Sequence, residues 1–185
     1  MARTRVLICD DSPAYAAALT QVLEHDGEIT VVGVCDRAER TVSEVPRLSP
    51  DLVTIDLELA GDAGLTAIER IMSSSPVPIL VLSDHLGRGS AAVEDALAAG
   101  ALDAIRKREL DLDDPDGDAS ATFCARVKLL SRAPVIRHPR ARLGGERSAC
   151  RSAAMIGVCA SAGGPPALVA VLATLPASFA VPVLV

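Results

Sequence analysis

Short apolar runs alternate with stretches of helical period along the first ~130 residues, and each run closes on a polar or charged residue. Residues 4–10 read as a strand built on Val6, Leu7, Ile8 and Cys9. A helix follows to about His25, capped by Asp11 or Ser12 with Pro13 just inside, and Asp26-Gly27 makes the turn. Ile29–Cys35 predicts a second strand and Arg37–Leu48 a weaker helix, closed by Ser49-Pro50. Leu52–Ile55 predicts the central strand, and Gly64–Ser73 a helix with Leu65, Ile68 and Ile71 on one face. Pro78–Ser83 is the fourth strand, and the next helix ends at Gly100. Leu102–Arg106 is the fifth strand, and Ser120–Arg132 the fifth helix, with Phe123, Val127 and Leu130 at helical spacing. Five β–α repeats predict one doubly wound α/β domain around a parallel sheet.

In such a sheet the carboxyl ends of the strands line one edge, where ligands bind. That edge would gather Asp10 and Asp11, Asp56, Ser83 and Lys107. Three carboxylates at ~4 Å and an effective dielectric of ~20 repel by about 4 kcal/mol per pair before screening, so the cluster makes sense chiefly as a site for a divalent cation such as Mg²⁺. One carboxylate could then attack a phosphoryl donor, with Lys107 and the Ser83 hydroxyl facing the phosphoryl oxygens.

Composition narrows the class. Half the residues are apolar but only 2% are aromatic, so the core is aliphatic. A net charge of −6 argues against a nucleic-acid partner. Five scattered cysteines without a CxxC pair predict buried free thiols in a reducing compartment. The N-terminus enters a strand without an apolar leader, and no run of about 18 apolar residues occurs, which predicts a cytoplasmic protein with no membrane insertion. The stretch Glu109–Asp118, with six acids and no base, reads as a solvated loop. From Arg126 to Arg151 there are eight Lys or Arg against one acid, broken by Pro134, Pro139, Gly144 and Gly145, which reads as a linker.

Residues 4 to about 132 resemble a response-regulator receiver domain, through Asp10-Asp11, Asp56, Ser83, and Gly100-Ala101-Leu102-Asp103 followed by Lys107. The resemblance implies a flavodoxin-like (βα)₅ fold, with Asp56 as phosphoacceptor from a histidine kinase. It also implies Mg²⁺ held by Asp10, Asp11, Asp56 and the carbonyl of Glu58. The sequence departs from the family pattern at Ala60, where a proline is usual, and at Ala63, where an acid is usual. Arg108 stands where proline usually follows the lysine, and Ala104 holds the aromatic switch position. These departures leave the phosphorylation chemistry intact and put the usual switch coupling in doubt.

After the linker, Met155–Cys159 reads as a strand, Ala160–Gly164 as a tight turn, Pro165-Pro166 as the opening of a helix to about Leu175, and Val181–Val185 as another strand. The turn lifts Ser161 among small residues, approximating a nucleophile elbow; a plain connecting turn is the alternative. Residues 156–168 resemble the start of the chemotaxis methylesterase catalytic domain, and the order receiver, linker, serine turn is that family's order. The resemblance implies Ser161 as nucleophile toward methyl esters on glutamyl side chains of chemoreceptors, with a receiver that blocks access until phosphorylated. The divisions are then 1–132, 133–153 and 154–185.

The family's histidine and aspartate lie beyond Val185, and His25, His85 and His138 all precede the serine. A serine without a base is a poor nucleophile, so these residues alone are expected to lack useful esterase activity. The last 31 residues fall below the roughly 40 at which isolated folding usually needs help, so a fragment of a longer protein is expected. A stand-alone phosphorelay receiver with a vestigial tail is the alternative. A nucleotide loop at Ala160–Gly164 lacks both the GxGxxG and the GxxxxGK[ST] pattern.

Overall fold

A computed structural model describes residues 3–59, 63–84, 91–135, 156–157, 172 and 183–184. The chain forms two compact units, 1–145 and 146–185. In the first, the elements run β1 (Thr4–Cys9), α1 (Pro13–Glu24), β2 (Ile29–Cys35), α2 (Ala38–Leu48), β3 (Leu52–Asp56), α3 (Ala63–Ser74), β4 (Ile79–Ser83), α4 (Ala91–Ala99), β5 (Asp103–Arg106) and α5 (Asp118–Leu130). The strands make one parallel sheet in the order β2-β1-β3-β4-β5. In the second unit, β6 (Ile156–Gly157) pairs in parallel with β7 (Val183–Leu184).

The alternation of side chains along each strand builds two cores. Leu7, Cys9, Val53, Ile55, Ile79 and Val81 point toward α2, α3 and α4, where Val45, Ile68, Ile71, Met72 and Ala96 meet them. Val6, Ile8, Leu52, Leu80, Leu82 and Ile105 point toward α1 and α5, meeting Leu19, Leu23, Phe123 and Val127. β3 and β4 are buried at every position, as expected of strands covered on both faces of a parallel sheet. Cys9, Cys35 and Cys124 are buried free thiols, as expected; Cys150 and Cys159 lie outside the described residues. No helix among the described residues is long and apolar enough to cross a membrane.

The structure corrects several expected boundaries. β1 stops at Cys9, while β3 runs through Asp56, because the next amide, Leu57, bonds the Leu82 carbonyl and prolongs the β3–β4 ladder. α2 carries Pro46 inside its last turn. The Arg5 guanidinium bonds the Leu48 carbonyl at 2.7 Å, satisfying a group the helix end leaves open. Helix α5 starts at Asp118, two residues early, and the acidic stretch before it is not simply solvated. Leu110 is buried, Leu112 packs against the α1/α5 core, and the Ser120 hydroxyl bonds the carbonyls of Asp111 and Asp114 at 2.9 and 2.8 Å. Ser161 and the turn around it lie outside the described residues, as do residues 85–90 before α4, with His85, and residues 136–153 of the expected linker, with His138.

Two glycines are required by space or conformation. Gly100 ends α4 at φ +117, a conformation costly to any residue with a Cβ. Gly64 lies where a Cβ would sit 2.8 Å from the Asp56 carbonyl oxygen, so α3 rests directly on the backbone that follows β3. Gly64→Ala should therefore destabilise the fold by about 1–3 kcal/mol, the usual cost of overpacking. A lowered urea midpoint with unchanged slope is the expected result; an unchanged midpoint would contradict this packing.

Candidate functional site

The three acids converge from two strand ends. The Asp10 amide bonds the Cys35 carbonyl at 3.0 Å, which closes the β1–β2 ladder and fixes the turn that follows. Asp10 is 3% exposed, and its Oδ1 accepts from the Ser12 amide at 2.9 Å. Ser12, not Asp11, caps α1, its hydroxyl accepting from the Tyr15 amide at 3.3 Å. Asp11 is thereby left exposed toward the crevice. Asp56, 2% exposed, accepts from the Glu58 amide at 3.0 Å. One carboxylate oxygen from each of Asp10, Asp11 and Asp56 lies within 4.8 Å of the others.

Lys107 reaches this cluster from the turn of 3-10 helix directly after β5. Its Nζ donates to Asp10 Oδ2 at 2.9 Å and to Asp56 Oδ2 at 2.8 Å, and it sits 4.5 Å from the centre of the Tyr15 ring. The ammonium thus offsets part of the repulsion that sequence reasoning assigned chiefly to a metal. Burial alone would lower the lysine pKa, but the bonds to Asp56 and Asp10 outweigh it and hold the pKa above its usual value. For Asp56 burial prevails: the carboxyl is pushed up to about 6 despite Lys107 and the Glu58 amide, with the neighbouring Glu58 side chain adding to the rise.

Ser83 ends β4, 1% exposed, but its hydroxyl is not simply offered to a ligand. It donates to Glu58 Oε1 at 2.5 Å, and the Asp84 amide donates to the same carboxylate at 3.0 and 3.1 Å. The structure therefore brings Asp10, Asp11, Asp56 and Lys107 into one cluster and ties Ser83 to it through the Glu58 side chain. Sequence reasoning considered only the Glu58 carbonyl. The Glu58 side chain, and Tyr15 packed over Lys107, were the parts it missed. Tyr15 could have been found: it follows Asp11 by one helical turn. Its hydroxyl is buried without a hydrogen-bond partner among the described residues, and burial, then the Asp10 charge, pushes its pKa up. A cleft of about 360 Å³ beside the cluster is lined by Ser12, Tyr15, Asp84, Lys107 and Arg108.

The result is an acidic pocket at the carboxyl edge of a five-stranded parallel sheet, bridged by a lysine from the turn that follows the last strand. The response regulator receiver domain model matches residues 6–114, and the chain belongs to that family. It is similar to protein-glutamate methylesterase/protein-glutamine glutaminase 3 of Myxococcus xanthus, 40% identical over 183 residues covering 98% of this chain and 52% of that protein. The protein-glutamate methylesterase/protein-glutamine glutaminase of Nitrosospira multiformis is 34% identical over a 193-residue alignment, covering 97% of this chain and 54% of the relative. The chain spans about half the length of the curated relatives it matches. The response regulator domain of Thermotoga maritima CheB superposes with a TM-score of 0.63 at 24% identity, covering 71% of this chain and 98% of that one. The activated N-terminal receiver domain of Klebsiella pneumoniae RstA gives 0.55 at 26% identity, covering 70% and 99%.

The raised Asp56 pKa has a thermodynamic consequence. The folded protein binds that proton more tightly than the unfolded chain does. The stability it contributes is fully present below the ordinary value of 3.8 and is lost as pH rises through about 6. In metal-free buffer, the wild-type minus Asp56→Asn difference in unfolding free energy should fall across that window. Urea denaturation at fixed ionic strength checks it; a difference that rises with pH would reverse the assignment.

Proposed function

We propose that Asp56 is the phosphoacceptor of a chemotaxis response regulator, taking its phosphoryl group from a histidine kinase. The observation that carries this is the position of Lys107, bonded at once to Asp10 and Asp56 at the open end of the sheet. In the transfer, an Asp56 carboxylate oxygen forms the new bond to phosphorus as the bond from phosphorus to the donor's imidazole nitrogen breaks. The Lys107 ammonium can follow the charge from the carboxylate onto the phosphoryl oxygens. Burial of Asp10 and Asp56 keeps these interactions in a low dielectric, where they are strongest.

The donor set suits Mg²⁺, since oxygens from three carboxylates lie close enough to share one ion. Asp10, Asp11 and Asp56 would hold it together with the Glu58 main-chain carbonyl. When bound, the ion supplies neutralisation of phosphoryl charge.

The tail supports a wider role. The M. xanthus relative matches along nearly the whole chain, including the segment around Ser161. On this reading the receiver (1–132) is joined by a linker (133–153) to the beginning of a methylesterase domain (154–185) with Ser161 as nucleophile. The full-length protein would demethylate, and deamidate, glutamyl and glutaminyl side chains of chemoreceptors in the cytoplasm.

A small phosphodonor such as acetyl phosphate, supplied with Mg²⁺, should label the protein, and Asp56→Asn should abolish the label. Phosphate-affinity electrophoresis reads this directly. Label that survives the substitution would move the acceptor elsewhere.

A further inference from the structure

The Glu58 carboxylate occupies two donors at the end of β4. It accepts the Ser83 hydroxyl at 2.5 Å and the Asp84 amide at 3.0 and 3.1 Å, at the end of the strand beside Asp56. A hydroxyl and a main-chain amide converging on one anion form a small oxyanion-binding site. Here the anion comes from the protein itself. The loop that carries it starts at Asp56, whose Oδ1 accepts the Glu58 amide at 3.0 Å, so this carboxylate cannot lie far from a phosphoryl group on Asp56.

We infer that Glu58 is an internal competitor for the phosphoryl group: its side chain fills the Ser83–Asp84 donor pair at rest and must leave it when Asp56 is phosphorylated. The inference rests on Asp56 being the phosphoacceptor. A phosphoryl group adds about −1.5 to −2 charge and oxygens of the same acceptor type. Two anions cannot share one donor pair, and the new one also repels the old. The group that moves belongs to an exposed residue, while the next side chain, Leu59, stays anchored at 3% exposure. The metal-binding role considered for Glu58 uses its main-chain carbonyl, which side-chain substitutions leave in place.

A bland role makes the opposite prediction. If Glu58 only braces the loop after β4, removing it would disorder Ser83 and the Asp84 amide and slow phosphorylation. If it competes, removing it frees the donors and speeds phosphorylation. The test uses the whole chain with acetyl phosphate and Mg²⁺. An Asp56 oxygen bonds to phosphorus and acetate leaves, and the initial labelling rate is compared for wild type, Glu58→Ala and Glu58→Gln. Glu58→Ala should label about tenfold faster, the factor equivalent to roughly one charge-assisted hydrogen bond. Glu58→Gln, similar in shape but uncharged, should fall between. Amide exchange at Asp84 should be slow in unphosphorylated wild type, faster in Glu58→Ala, and slow again in that variant once it is phosphorylated. Rates in both variants at or below wild type, with Asp56→Asn still unlabelled, would overturn the competitor role and leave the phosphoacceptor standing. Undiminished labelling of Asp56→Asn would instead remove the phosphoacceptor, and this inference with it.

Discussion

The Lys107 ammonium sits between Asp10 and Asp56, within 2.9 Å of each, and this contact joins the turn after β5 to the ends of β1 and β3. Each group is largely desolvated, and none would tolerate burial alone. The pair distances therefore depend on the sheet holding the ends of β1, β3 and β5 level. Parallel register does this: Cys9 lies opposite Ile55, Asp56 opposite Leu82, and Leu82 opposite Ile105. A slip of one residue in any ladder would turn an acid toward a helix core and leave the lysine without its partners.

That dependence explains where the core is most tightly specified. The strands that carry the site are clamped from both faces by fully buried Leu and Ile side chains. Gly64 lets α3 press against the carbonyl of Asp56 itself, so the acceptor's backbone is fixed as well as its carboxylate. Next to it Cys9, pushed up to about 12 chiefly by burial, stays a neutral thiol and adds no charge to an already acidic corner. Stability and site geometry are, at this edge of the sheet, the same packing problem.

Much of this could be read from the chain, because both periods are clean. Ile79–Leu82 is a continuous apolar run and Leu52–Ile55 is broken only by Thr54, and the polar residue after each marks the carboxyl edge. Boundaries that depend on one tertiary bond were not legible. Nothing local says that β3 includes Asp56; the Leu57 amide bonded across to Leu82 does. The acidic stretch looks solvated by composition, but its leucines at 110 and 112 find the core and Ser120 ties its carbonyls. The turn acid Glu58 looks like surface, since its partners are 25 and 26 residues away along the chain.

The charge balance at the edge orders the events that follow. Asp10, Asp11, Asp56 and Glu58 bring carboxylates to a small region, and among the described residues Lys107 is the cation bonded to the first cluster. Such a corner is short of positive charge before any phosphoryl group arrives, which favours a divalent ion, while burial, with the Glu58 side chain adding to it, raises the Asp56 pKa. Adding a phosphoryl group makes the shortage worse unless one carboxylate moves away. Asp10 and Asp56 are locked by Lys107 and by main-chain amides, and Asp11 has no hold on such a donor pair among the described residues. Glu58 alone among these acids combines an exposed side chain with a hold on donors that another anion could take over. On the competitor proposal, this exposed acid is therefore the one that yields its donors to the new oxygens.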